Sequence, residues 1–170
     1  MAPRTVMNRK SQRLKYLILD SFSAAIAWVL FFSYRKEIVE PQLFGSDVPF
    51  LFNSQFWLGI VSITLFWLLL YFLSGYYKNV YRKSRLIELG QTFLQSFVGV
   101  LVIFFVAILD DFIPSYKNYY SSISILFVVH FMMTYIFRFI FTSHTVHKIH
   151  NRHIGFNTLI VGGGNSAVDM

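Results

Sequence analysis

Four long apolar stretches alternate with short polar connections along the chain, and their lengths fit bilayer spans better than core helices. A hydrocarbon core takes about 20 mainly apolar residues per helix. Segments of that kind run near 14–33, 56–73, 92–109 and 121–141. Phe50 to Phe52 precede the second, where they can lie at the interface. The breaks carry Pro41, Gly45 and Pro49, then Gly75 and Gly90, then Pro114, residues that interrupt helices. The pattern predicts a basic tail at 1–13, a four-helix transmembrane domain at 14–142 and a basic stalk at 143–155. After the stalk the period changes. Thr158-Leu159-Ile160-Val161 reads as a buried parallel strand, and Gly162, Gly163 and Gly164 as a tight turn after it. The expected fold is therefore an all-α membrane bundle of four transmembrane helices. It is followed at 156–170 by the truncated first strand and glycine turn of a Rossmann-like α/β domain. One strand cannot bury itself, so the chain is expected to be the front of a longer polypeptide.

Composition agrees with a membrane protein: of 170 residues, 55% are hydrophobic and 19% aromatic, the mean hydropathy is +0.53, and 14% are charged, against roughly 25% in soluble domains. The net charge of +7 is interleaved with apolar runs, which favours an anionic lipid surface over nucleic acid. The absence of cysteine excludes disulfides and thiolate metal sites. A basic start followed by apolar residues imitates a secretory signal, with Ala25-Ile26-Ala27 as its cleavage site. Asp20 interrupts the apolar region, however, and hydrophobicity continues from Trp28 through Phe32, so an uncleaved signal anchor is expected.

Charge also sets the expected orientation. The amino-terminal tail holds Arg4, Arg9, Lys10, Arg13 and Lys15, the second connection Lys78, Arg82, Lys83 and Arg85, and the carboxyl end Arg138, Lys148 and Arg152. The two other connections hold Arg35, Lys36 and Lys117, with Glu37, Glu40, Asp47, Asp110 and Asp111. The positive-inside rule then predicts both termini in the cytoplasm. In the second connection Tyr76, Tyr77, Tyr81, Leu86, Ile87 and Leu89 mix with the cations. Two readings stand, a segment lying in the headgroup layer and a short basic loop that only fixes topology.

Ionisable residues within spans are expensive and point first to function. Asp20 lies about one turn inside the first span, within reach of a cationic partner or an interhelical hydrogen bond. His130, mid-span, reads as a neutral imidazole bonded to a facing Ser, Thr or Gln such as Gln95, in preference to a proton relay. Arg138 is placed to snorkel to the interface. So few buried charges argue against an ion pathway. His144, His147, His150 and His153 recur every third residue without a carboxylate or thiolate, and no metal is assigned to them.

In the glycine turn, Gly162, Gly164 and Ala167 match G-x-G-x-x-G/A: a tight turn, close backbone approach to a pyrophosphate, and close helix–strand packing. They are the candidate cofactor-binding residues, with backbone N–H groups at a helix start to hold phosphate.

This order of parts, with the connection from Gly75 to Leu89, the stretch Tyr81 to Thr92 and the segment His150 to Gly164, resembles the amino-terminal half of the large bacterial polyprenyl-phosphate sugar-1-phosphate transferases, which start exopolysaccharide, capsule or O-antigen synthesis. The resemblance covers nearly the whole chain by architecture and short motifs. It implies an inner-membrane protein whose separate carboxyl-terminal domain moves a sugar phosphate from a nucleoside-diphosphate sugar to undecaprenyl phosphate, using acidic residues and magnesium. No catalytic position is carried over to this chain, whose implied role is anchoring, assembly or regulation. Membrane-bound nucleoside-diphosphate-sugar 4,6-dehydratases have a similar front end, and there Gly162, Gly164 and Ala167 would hold NAD. The lack of a full G-x-G-x-x-G and the likeness at Tyr81 to Thr92 favour the transferase. A non-enzymatic scaffold is a third expectation, a homo-oligomer joined through Phe104 and Phe105 or through Phe137, Phe139 and Phe141.

Overall fold

The computed structural model describes residues 5–6, 9–41, 54–77, 85–108, 116–150 and 154–155. The segment 156–170, with Gly162, Gly164 and Ala167, lies outside the described residues. Four helices make up nearly all of the rest: α1 (Arg9–Tyr34), α2 (Ser54–Leu73), α3 (Arg85–Ile103) and α4 (Tyr116–His150). One wide π-type turn extends α1 over Arg35–Val39 and another extends α3 over Phe104–Ile108. A two-residue parallel pair, Thr5 with Ile154 and Val6 with Gly155, joins the start of α1 to the end of α4.

All four helices are long and apolar enough to cross a membrane, over Lys10–Val39, Ser54–Leu73, Arg85–Val106 and Tyr120–His147. The protein is accordingly a multi-pass membrane protein by length and composition. Successive helices run antiparallel. Tyr16 meets Thr142 while Tyr34 meets Ser121, which sets α1 against α4. Phe32 packs on Phe56, which sets α1 against α2. Gly99 of α3 receives the indole of Trp67 from α2, so closely that a Cβ there would overlap the ring. A small residue at a helix contact is a membrane-bundle device, because apolar lipid leaves packing to hold helices together.

The helices are longer than the expected spans. α3 begins at Arg85, so Gly90, expected at a boundary, lies inside it. Nothing within 4 Å surrounds its missing Cβ, and a helical glycine at an open position costs only about 1 kcal/mol. α4 continues through His150, taking in much of the expected stalk. With 20 residues, α2 spans about 30 Å at about 1.5 Å each, the depth of one bilayer core. It ends in a left-handed Gly75 with φ 69°. There the Tyr76 N–H bonds to the Tyr71 carbonyl at 3.0 Å and the Gly75 N–H to the Phe72 carbonyl at 3.1 Å, which is the Schellman arrangement. The reversal turns Tyr76 and Tyr77 back into the bundle.

Among the described residues the interior is mixed, with apolar side chains such as Phe31, Trp67 and Val100 sharing it with polar ones. Every fourth residue of α4 from Ser122 is buried, namely Ser122, Leu126, His130, Thr134, Arg138 and Thr142, and five of those six are polar. The buried face of α3 adds Glu88, Thr92, Gln95 and Ser96, and that of α1 adds Asp20 and Ser23. Large apolar side chains such as Leu58, Leu65, Leu69 and Phe72 point outward, where lipid replaces water as the surrounding medium.

Candidate functional site

The buried polar residues converge at the level where α2 stops. α1 supplies Tyr16 and Asp20, α3 supplies Glu88 and Thr92, and α4 supplies His130, Thr134, Arg138 and Thr142. The turn after α2 supplies Tyr76 and Tyr77. Helical spacing explains the convergence: Glu88 and Thr92, like Thr134, Arg138 and Thr142, stand four residues apart and share one face.

Arg138 is the hub. Its Nε donates to Asp20 Oδ1 at 2.7 Å and its Nη2 to Asp20 Oδ2 at 2.9 Å, a two-point pairing across α4 and α1. Its Nη1 donates to Thr92 Oγ1 at 3.0 Å, and Thr92 in turn donates to the Glu88 carbonyl at 2.7 Å. The guanidinium carbon lies 3.8 Å from the Tyr76 ring centroid and 4.4 Å from that of Tyr71. An arginine held by a carboxylate, a hydroxyl and two aromatic faces has its charge and its planar fork both matched. At 0% exposure it does not snorkel, contrary to expectation. The reason is that Asp20 reaches it inside the bundle; the carboxylate turns to α4 and not to the amino-terminal cations.

The two tyrosines of the turn are buried in the bundle, not in the headgroup layer where one of the two readings of the connection put them. Tyr77 donates to Asp20 Oδ2 at 2.8 Å and Tyr76 donates to Glu88 Oε1 at 3.0 Å. Burial pushes both phenols well above their ordinary 10.0, so they remain neutral donors. Nearby, Tyr16 and Thr142 hydroxyls lie 2.8 Å apart.

His130 sits one layer deeper. Its Nε2 is 2.9 Å from the Tyr71 hydroxyl and 3.3 Å from Thr134 Oγ1, and its ring stacks on Trp67 with centroids 3.5 Å apart and planes at 10°. The expected bond to a facing Ser, Thr or Gln is not what forms: the facing partner is Tyr71, Thr134 belongs to the same helix, and Gln95 donates from Nε2 to Ser74 Oγ at 2.7 Å. Tyr71 joins the two layers, with its ring against Arg138 and its hydroxyl at His130. Of the aromatic faces considered for association, Phe105 is exposed, while Phe141 packs edge-on to Tyr16 and Phe137 to Phe22.

The site thus ties α1, α3, α4 and the end of α2 together through one guanidinium. Asp20, His130 and Arg138 were visible in the sequence as ionisable residues in apolar runs. Tyr76, Tyr77 and Glu88 were not, because they sit in a connection whose cations dominate its pattern. The four-residue spacing of Glu88, Thr92 and Ser96 is the signal that singles out Glu88. No family model, curated protein or solved structure matches the chain.

Proposed function

We propose that this chain is the membrane-anchoring region of an enzyme that transfers a sugar-1-phosphate from a nucleoside-diphosphate sugar to undecaprenyl phosphate, initiating exopolysaccharide, capsule or O-antigen synthesis at the bacterial inner membrane. The single observation that carries the reading is the order of parts. Four membrane-length helices whose first start and last end lie on one side are followed in sequence by the Thr158–Val161 run and the Gly162 turn. In this reading both termini are cytoplasmic, because, with the buried Arg138 set aside, eleven of the other fourteen lysines and arginines fall on the segments assigned to that side. A nucleotide-type fold after His150 then faces the compartment that holds nucleotide sugars.

The role of the chain's own residues is to hold a rigid platform. Arg138, Asp20, Thr92 and the two turn tyrosines lock the helices at the level of one membrane face, so a domain attached after α4 is presented at a fixed height above the lipid. Magnesium, which the resemblance implies, belongs to the catalytic domain, and no residue here is assigned to it.

The test uses the full-length protein in lipid with a radiolabelled nucleotide sugar and undecaprenyl phosphate. Label appearing as sugar phosphate on the lipid supports the proposal. Conversion of the nucleotide sugar itself in an NAD-dependent manner, with no label on lipid, replaces it with the dehydratase reading that the Gly162, Gly164 and Ala167 pattern favours. Neither product, with a cross-linked oligomer in lipid, leaves the scaffold.

A further inference from the structure

The segments on either side of the four helices meet in a sheet. β1 (Thr5–Val6) and β2 (Ile154–Gly155) form a parallel pair, with Thr5 opposite Ile154 and Val6 opposite Gly155. A tight turn joins only antiparallel neighbours, and parallel ones need a crossover between them. Here the crossover is residues 7–153, the whole bundle.

Such a pair does not sustain itself. Ordering the backbone of one residue costs at least as much as one backbone hydrogen bond returns, and each strand is two residues long. Even an ordinary hairpin of two strands is marginal alone in water. Among the described residues neither outer edge of the pair is joined to a further strand. β1 has little room to lengthen, because Pro3 has no N–H to donate and α1 begins at Arg9. The side left for growth is that of β2, which leads the chain toward Thr158–Val161.

The sense of the pairing agrees with that run. Parallel strands occur almost only in α/β sheets covered by helices on both faces. Thr158, Leu159, Ile160 and Val161, followed by Gly162, carry the residue pattern of a strand from such a sheet. Backbone pairing at Ile154–Gly155 and residue types further along thus point independently to one kind of sheet.

We propose that β1 is a strand of the α/β sheet that the chain builds after α4, so that the amino-terminal segment is a strap from the bundle to that sheet and not a free basic tail. Its partner is the chain's own segment from Ile154 to Val161. A domain held in this way is tied to the bundle at two points, the entry to α1 and the exit from α4, and cannot swing about α4 alone. The inference rests on reading 158–164 as the opening of an α/β domain, and not on which reaction follows from it.

The test is hydrogen–deuterium exchange of the full-length protein in lipid nanodiscs, read by peptide mass spectrometry. Thr5→Pro with Val6→Pro removes both N–H groups of β1, so its donors are lost whichever of them faces β2. The amides of 154–161 are expected to be protected in the unaltered protein and to exchange about tenfold faster in the double variant, the worth of one or two backbone hydrogen bonds. The spans at 20–33 and 121–138 should keep their protection. Thr5→Val with Val6→Ile, which retains both N–H groups and both β-branches, should leave 154–161 as protected as before. Protection of 154–161 that is indifferent to the prolines would overturn the strap and leave the sugar-phosphate reading standing. Free exchange of 158–161 in the unaltered protein would overturn both, since the run would then be no strand. Should the prolines loosen the spans as well, deletion of residues 2–6 removes β1 while leaving α1 whole, and the same outcomes decide.

Discussion

Arg138 is stable inside the bundle because each of its faces and forks is met, and the energetics of such a pair are asymmetric. Removing Asp20 leaves a cation sealed among aromatic rings, whereas removing both charges leaves only a volume to fill. Loss of one partner of a buried pair costs about 3–5 kcal/mol, while apolar replacement of both is often neutral. Asp20→Asn should therefore destabilise the protein by an amount in that range, read as a lowered unfolding midpoint in detergent. The double change Asp20→Leu with Arg138→Met should recover most of it. Equal losses in the single and double variants would show that packing, and not charge compensation, sets the stability here. These residues were legible from the sequence as charges in apolar runs. Their pairing was not, since 118 residues separate Asp20 from Arg138 and no local spacing reports which helices become neighbours.

The short helix α2 depends on its terminus. Gly75 holds a positive φ of 69°, and the reversal it allows is what carries Tyr76 to Glu88 and Tyr77 to Asp20. An L residue in that conformation costs about 1–2 kcal/mol. Gly75→Ala should lower thermal stability by at least that much, and should raise the reactivity of Tyr76 and Tyr77 toward tyrosine-modifying reagents as the turn reshapes. Unchanged protection of both phenols would mean the turn is fixed by its neighbours instead. At this scale the sequence was most informative for the existence of the four helices, whose apolar runs are long and unambiguous. It was least informative where a helix continues through polar residues. At the start of α3, Arg85 lies over the Phe139 ring at 5.4 Å and Glu88 accepts from Tyr76, and past the expected end of the fourth span Thr142 meets Tyr16 of α1, tertiary contacts that hydropathy does not register. The strand and glycine turn at 158–164 fall outside the described residues.

For the molecule as a whole, the up-down-up-down order puts the start of α1, the end of α2, the start of α3 and the end of α4 at one end of the bundle. Among the described residues that end carries the exposed cations Lys10, Arg13, Lys15 and Arg85, and exposed apolar residues such as Leu14, Ile18, Leu86 and Ile140 accompany them, a mixture suited to headgroups. Reporter fusions give the direct measure of orientation. A cytoplasm-active reporter fused after Met170 and one inserted within 78–84 should both be active, and one inserted within 110–115 should not; the opposite pattern would overturn the proposed orientation. Because α2 is cut to a single bilayer's depth and the Asp20–Arg138 layer begins where it ends, bilayer thickness should bear on the protein's stability. In a membrane several ångströms thicker, the ion-pair layer would be drawn into hydrocarbon unless the helices tilt, and mismatch of that kind sorts proteins between membranes. Stability measured across lipids of graded chain length should peak at a match to α2 and fall toward longer chains, making this helix a ruler for where in a heterogeneous membrane this protein settles.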